Sequence, residues 1–142
     1  VAEEGSAPVA RSALVTGARG FVGAWLAKGL LEQGARVTSY DRRPRSGRPS
    51  ILAMLGVDGD VEEVEGDLVD REALDRVLAA NEVDAVFHLA AETIVGTVQT
   101  DPVAGFESNV RGTWTVLQAC RDHGVERVVF ASSDKAYGAH EE

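Results

Sequence analysis

Residues 16–23 read Thr-Gly-Ala-Arg-Gly-Phe-Val-Gly, three glycines at three-residue spacing between a short β-branched run and an apolar helical pattern. In such a loop Gly17 permits a tight turn, Gly20 lets a pyrophosphate approach the backbone, and Gly23 lets the following helix pack close to its strand. The free N–H groups and dipole of that helix then hold the phosphate charge, with Arg19, Phe21 and Val22 completing the cradle. Eighteen residues beyond Gly23, Asp41 closes the next strand, where a carboxylate accepts hydrogen bonds from an adenosine ribose. Its charge repels a 2′-phosphate and favours NAD. Arg42 and Arg43 could turn toward such a phosphate, which leaves NADP open. Three glycines also make an ordinary turn; the strand before, the helix after and the acid at the next strand end are what point to a dinucleotide. No Gly-Lys-Ser/Thr closes the loop, which excludes a nucleoside-triphosphate P-loop.

These groups need a scaffold, and the pattern supplies one. Short β-branched runs at 13–16, 36–40, 61–65, 85–89 and 127–131 alternate with helical patterns at 21–33, 70–80 and 102–123 and a short helix within the Arg-, Pro- and Gly-rich stretch 42–60. Strand and helix in alternation imply right-handed crossovers and a parallel sheet covered on both faces, a doubly wound α/β domain of the Rossmann type with five strands and four helices. Residues 1–11 show no periodicity and read as a flexible leader, with folding starting near Ser12.

The helix from Pro102 has clear borders: Asp101 can cap it, Pro102 suits its first turn and Gly124 follows its end. Val103, Phe106, Val110, Trp114 and Leu117 form one stripe, which Val116 and Cys120 widen beyond what one sheet face requires. A further partner for this helix is expected. Cys120 reads as a small buried hydrophobe, and His88, at a strand end, as a neutral packed histidine.

A chain of 142 residues, 44% hydrophobic and 26% charged, fits one globular domain. A net charge of −9 argues against nucleic acid as a partner, since the basic residues cluster only at Arg42, Arg43, Arg45 and Arg48. One cysteine allows no internal disulfide, and neither a bilayer-length apolar run nor a targeting leader is present. A cytoplasmic location, no membrane partner and no metal site are the expectations.

Five motifs in order carry a resemblance: the glycine loop, Gly66-Asp67-Leu68, His88-Leu89-Ala90-Ala91, Asn109-Val110-Arg111-Gly112-Thr113, and Ser132-Ser133-Asp134-Lys135-Ala136-Tyr137-Gly138. From Ser12 onward the chain resembles an extended short-chain dehydrogenase/reductase of the NAD-dependent epimerase/dehydratase type. The resemblance implies that Asp67 and Leu68 contact adenine, that Leu89, Ala90 and Ala91 line the dinucleotide opposite the glycine loop, and that Asn109 steadies the central helix and active-site backbone. It places the first catalytic hydroxyl at Ser133, four residues before Tyr137, which is therefore not the catalytic tyrosine. Ser-Asp-Lys at 133–135 is similar to the elimination pair of certain nucleotide-sugar 4,6-dehydratases. In that chemistry Ser133 hydrogen-bonds the C4 oxygen, a neutral Lys135 removes the C5 proton and a protonated Asp134 donates to the departing C6 hydroxyl. Read without the family, the same three residues are a polar turn.

The family's Tyr-x-x-x-Lys pair is absent: neither Tyr40 nor Tyr137 has a lysine four residues on. The expectation is thus an N-terminal fragment that binds NAD but does not turn over a nucleotide sugar alone, its substrate pocket lying in a missing C-terminal region. Extended family members often pair through the helix at 102–123, which implies a homodimer. A 4,6-dehydratase is the leading function, a 4-epimerase or reductase the alternative within the enzymes, and a non-catalytic NAD(P) sensor the alternative of another class.

Overall fold

The computed structural model describes residues 8–42, 49–133 and 138. Its elements run β1 (Ser12–Thr16), α1 (Phe21–Glu32), β2 (Arg36–Asp41), α2 (Ile51–Met54), β3 (Val61–Glu65), α3 (Arg71–Asn81), β4 (Ala85–His88), α4 (Val95–Thr100), α5 (Pro102–Phe106), a π-helical turn at Glu107–Arg111, α6 (Gly112–Asp122) and β5 (Arg127–Phe130). The strands form one parallel sheet in the order β3-β2-β1-β4-β5. The expected doubly wound α/β arrangement is what the chain adopts.

β1 is buried along its whole length, and alternation sends its side chains into two cores. Ala13 and Val15 join Ala24, Ala27, Leu30 and Leu52 on the α1 side, while Leu14 joins Leu74, Leu78, Val116 and Cys120 on the α3/α6 side. Because β2 and β4 flank β1 on opposite sides, the strand order reverses there. The carboxyl ends of β1 and β4, where Thr16 pairs with His88, open a crevice at the place where doubly wound sheets bind ligands.

Four expectations change. Packing begins before Ser12: Ala10 is buried in the α1-side core and the Asp84 carboxylate accepts from the Arg11 N–H at 3.1 Å, because a small apolar side chain and a distant acid anchor a stretch that has no periodicity of its own. The helix at 102–123 is interrupted by the π turn and preceded by α4, which had no recognisable cap. Its stripe Val103, Phe106, Val110, Trp114 and Leu117 is exposed throughout. The buried face instead carries Gly112, Thr115, Val116, Ala119 and Cys120, and glycine is needed at 112 because a Cβ there would stand 2.8 Å from that of Leu68. Finally, cover on both sheet faces does not extend to β5, where Val129 and Phe130 are exposed among the described residues. The Asp101 cap holds as expected, its carboxylate accepting from the Ala104 N–H at 3.0 Å, and Gly124 takes the left-handed conformation after α6. Among the described residues no helix is long and apolar enough to cross a membrane.

Candidate dinucleotide site

A cleft of about 490 Å3 lies over the switch point, within the range of small-molecule sites. Gly17, Gly20, Phe21, Val22 and Gly23 form one wall, Asp41, Arg42, Asp67 and Leu68 the second, and Leu89, Ala90 and Ala91 the third. Twelve of the fourteen residues expected at a cofactor thus meet on one cleft; Arg19 and Asn109 stand beside it and act on its walls.

Within the glycine loop, Gly17 and Gly23 are required by space. Gly17 sits at φ +79°, and a Cβ there would come within 2.8 Å of the Ala90 backbone nitrogen, so a side chain would push the first wall off the third. A Cβ on Gly23 would fall 2.2 Å from the Gly17 carbonyl oxygen and 2.7 Å from the Ala18 Cα. The first turn of α1 therefore lies directly on the loop. No side chain caps that turn and no acid sits in it, whereas Ser50, Asp70 and Asp101 cap α2, α3 and α5. Backbone donors and the positive end of the helix dipole face the cleft, as anion binding requires. Phe21 and Val22 are exposed here; Ala24, Ala27 and Leu30 are the α1 side chains buried in the core, with Leu26 and Leu31 packed against it.

Asp41 ends β2 beside the loop, its Oδ2 accepting from the Arg19 N–H at 3.3 Å. Burial pushes its carboxyl above the usual carboxylate range, opposed by the N–H groups of Arg19, Gly17 and Ala18 and by the Arg19 charge. The Arg19 side chain turns away over β2: Nε donates to Glu63 Oε2 at 2.7 Å and Nη1 to the Arg42 carbonyl at 3.1 Å. On the second wall the Tyr40 hydroxyl donates to the Asp67 carbonyl at 2.9 Å. Gly66 lies against the Tyr40 ring, where any Cβ would overlap it. Burial, with the nearby acids Asp70 and Asp67, pushes the Tyr40 phenol up to about 12, so it stays a donor.

Behind the third wall runs a chain of hydrogen bonds. The Thr113 hydroxyl donates to the Asn109 carbonyl at 2.7 Å, so it accepts from His88 Nε2 at 3.0 Å. His88 Nδ1 is left as acceptor for the Thr16 hydroxyl at 2.7 Å, and Thr16 Oγ1 accepts from the Ala90 N–H at 3.2 Å. Asn109 clamps Glu92 from both sides, Nδ2 donating to its carbonyl at 3.0 Å and Oδ1 accepting its N–H at 2.7 Å. The π turn places Asn109 at this loop, as π bulges often do at functional sites. Burial lowers the His88 pKa, in keeping with the neutral, packed histidine expected. Cys120 is likewise buried, its thiol pushed up to about 11.

A second cavity adjoins the first through Leu89, Ala90, Ala91 and Thr93 and is bordered by Asn109, Thr113 and Ser133. Ser133 is thus brought to the end of the cleft beyond β5. Asp134 and Lys135 lie outside the described residues, as do Arg43 and Tyr137. Sequence reasoning missed Tyr40, Thr93 and Ser108 as lining residues. Tyr40 carried a signal, being next to Asp41 on the opposite face of β2; Glu63 carried none, because its approach to Arg19 depends on strand order.

The sequence profile of the NAD dependent epimerase/dehydratase family matches residues 13–142. The UDP-glucose 4-epimerase of Bacillus subtilis is 35% identical over 129 residues, covering 90% of this chain and 38% of that protein. The UDP-glucose 4-epimerase from Stenotrophomonas maltophila, crystallised with NAD and formylated UDP-arabinopyranose, superposes with a TM-score of 0.83 at 32% identity, over 93% of this chain and 40% of that one. A double mutant of the dTDP-glucose 4,6-dehydratase from Streptomyces venezuelae, also with NAD bound, gives 0.80 at 34%, over 92% and 42%. The chain therefore spans about two fifths of the length of these relatives. From the glycine loop to the strand order and the profile match, the chain belongs to the NAD-dependent epimerase/dehydratase family.

Proposed function

We propose that the chain is the NAD-binding portion of a nucleotide-sugar 4-epimerase. The observation that carries this reading is the cleft at the β1/β4 switch point, where Gly17 and Gly23 leave room for backbone alone and Asp41 stands at the end of β2. The relatives named UDP-glucose 4-epimerases shift the weight from elimination to epimerisation.

NAD, when bound, supplies a reversible acceptor for the hydrogen at the sugar C4. The protein does the rest. The first turn of α1 binds the pyrophosphate, Asp41 the adenosine ribose, and Asp67 and Leu68 the adenine. Ala90 and Ala91 keep the third wall thin, Asn109 fixes the Glu92 backbone, and Ser133 hydrogen-bonds the C4 oxygen. The carboxylate of Asp41 favours NAD over NADP.

A 4,6-dehydratase remains the second reading, favoured by Asp134 and Lys135 directly after Ser133 and by the likeness to the Streptomyces enzyme. The intact enzyme, supplied with UDP-glucose, separates the two: UDP-galactose is expected, and a 4-keto-6-deoxy product would replace epimerisation by elimination. In the same reading two copies pair through the exposed stripe Val103, Phe106, Val110, Trp114 and Leu117, in the cytoplasm; light scattering of the intact enzyme should return twice the protomer mass.

A further inference from the structure

We infer that Glu63 is a specificity-determining residue, holding Arg19 away from the ribose 2′ position so that the cleft takes NAD in preference to NADP. The inference rests on the cofactor reading above and deepens it. A 2′-phosphate is recognised by a free guanidinium, which binds it through two parallel N–H donors. Arg19 is the one basic residue within the glycine loop, and its backbone touches Asp41, the residue at the ribose. It stands where a 2′-phosphate reader would stand.

Its side chain is already committed. Nε donates to Glu63 Oε2 at 2.7 Å and Nη1 to the Arg42 carbonyl at 3.1 Å. The pair is partly shielded from solvent, with side-chain exposures of 23% for Arg19 and 30% for Glu63. β3 presents Glu63 because it pairs in parallel with β2, Glu63 opposite Ser39 and Glu65 opposite Asp41. Arg42 remains exposed on the same side, so removing Glu63 frees Arg19 to act beside it.

The test titrates NAD and NADP separately into the chain, its Glu63→Gln and Glu63→Thr variants, and the double variant Glu63→Gln/Arg19→Met, each checked by thermal melting. Wild type is expected to bind NAD more tightly. Either single variant should narrow the NAD-to-NADP ratio by about tenfold or more, the size of one charge-assisted hydrogen bond, mainly by tighter NADP binding. The double variant should restore the wide ratio. If the single variants bind NAD but keep the wild-type ratio to within about twofold, the inference is overturned and the cofactor reading stands. A narrowed ratio that persists without Arg19 also overturns it. If folded wild type binds neither dinucleotide, the cofactor reading itself fails and the inference falls with it.

Discussion

Gly23 and Gly29 lie in the same helix, yet replacing each by alanine should move stability in opposite directions. At Gly29 an added Cβ meets nothing within 4 Å. Alanine there gains the usual helix-interior advantage over glycine, about 1 kcal/mol, or about 3 °C in melting temperature for a chain of 142 residues. At Gly23 the same methyl lies 2.2 Å from the Gly17 oxygen and 2.8 Å from its carbonyl carbon. Both atoms are backbone, so no rotamer change relieves the overlap, and the first turn of α1 must retreat by roughly 1 Å. Overpacking of this kind costs about 3 kcal/mol. After the helix-propensity gain, a loss of about 2 kcal/mol remains, or a fall of about 6 °C. The retreat also carries the N–H groups of the first turn away from the phosphate position, so NAD affinity should fall by about tenfold or more. Differential scanning calorimetry and NAD titration of both variants check this. A Gly23→Ala variant that melts at or above wild type, or a Gly29→Ala variant that melts well below it, would refute the steric reasoning.

Other expectations follow from named groups. Replacing Asp41 with Asn removes a carboxyl whose folded pKa is raised by burial; its ionised form costs the folded state stability above that pKa and none below the ordinary value of 3.8. The variant should therefore melt higher than wild type at pH 7 while binding NAD more weakly, and a lower melting temperature would contradict the burial argument. His88 has a folded pKa lowered below 6.5, so the unfolded chain takes up a proton first. Its contribution to stability is complete above about pH 6.5 and declines as pH falls toward the folded value. Urea midpoints measured from pH 7.5 to 5 should fall more steeply in wild type than in His88→Gln; parallel curves would reject that assignment. Cys120, buried with its thiol at about 11, should resist a disulfide reagent at pH 8 in the native chain and react in full once denatured. Native labelling as fast as that of the denatured chain would contradict its burial.

The parts legible from the sequence are those encoded locally. A strand, three spaced glycines and an acid at the next strand end specify a loop that folds over its own helix, and Gly17, Gly23 and Asp41 sit as that pattern requires. The Asp101 cap and the Gly124 terminus were equally local. What escaped was set by neighbours distant in sequence. The stripe from Val103 to Leu117 has helical spacing, but spacing does not say which face turns inward; the buried face carries Gly112, Thr115, Val116, Ala119 and Cys120 instead, with Gly112 where a Cβ would crowd Leu68. The capture of Arg19 by Glu63 needs β3 beside β2, and the path from Thr16 through His88 to Asn109 needs three separate segments brought together. Helix α4 has no capping side chain to announce it.

The central claim, that the glycine-loop cleft holds the dinucleotide, is tested most directly by following backbone amide resonances during titration with NAD. Saturable shifts are predicted at Gly17–Gly23, Asp41, Gly66–Leu68 and Leu89–Ala91, with little change along α3 or at Gly34 and Gly56. Shifts confined to other surfaces, or none at saturating NAD in a folded chain, would contradict the account.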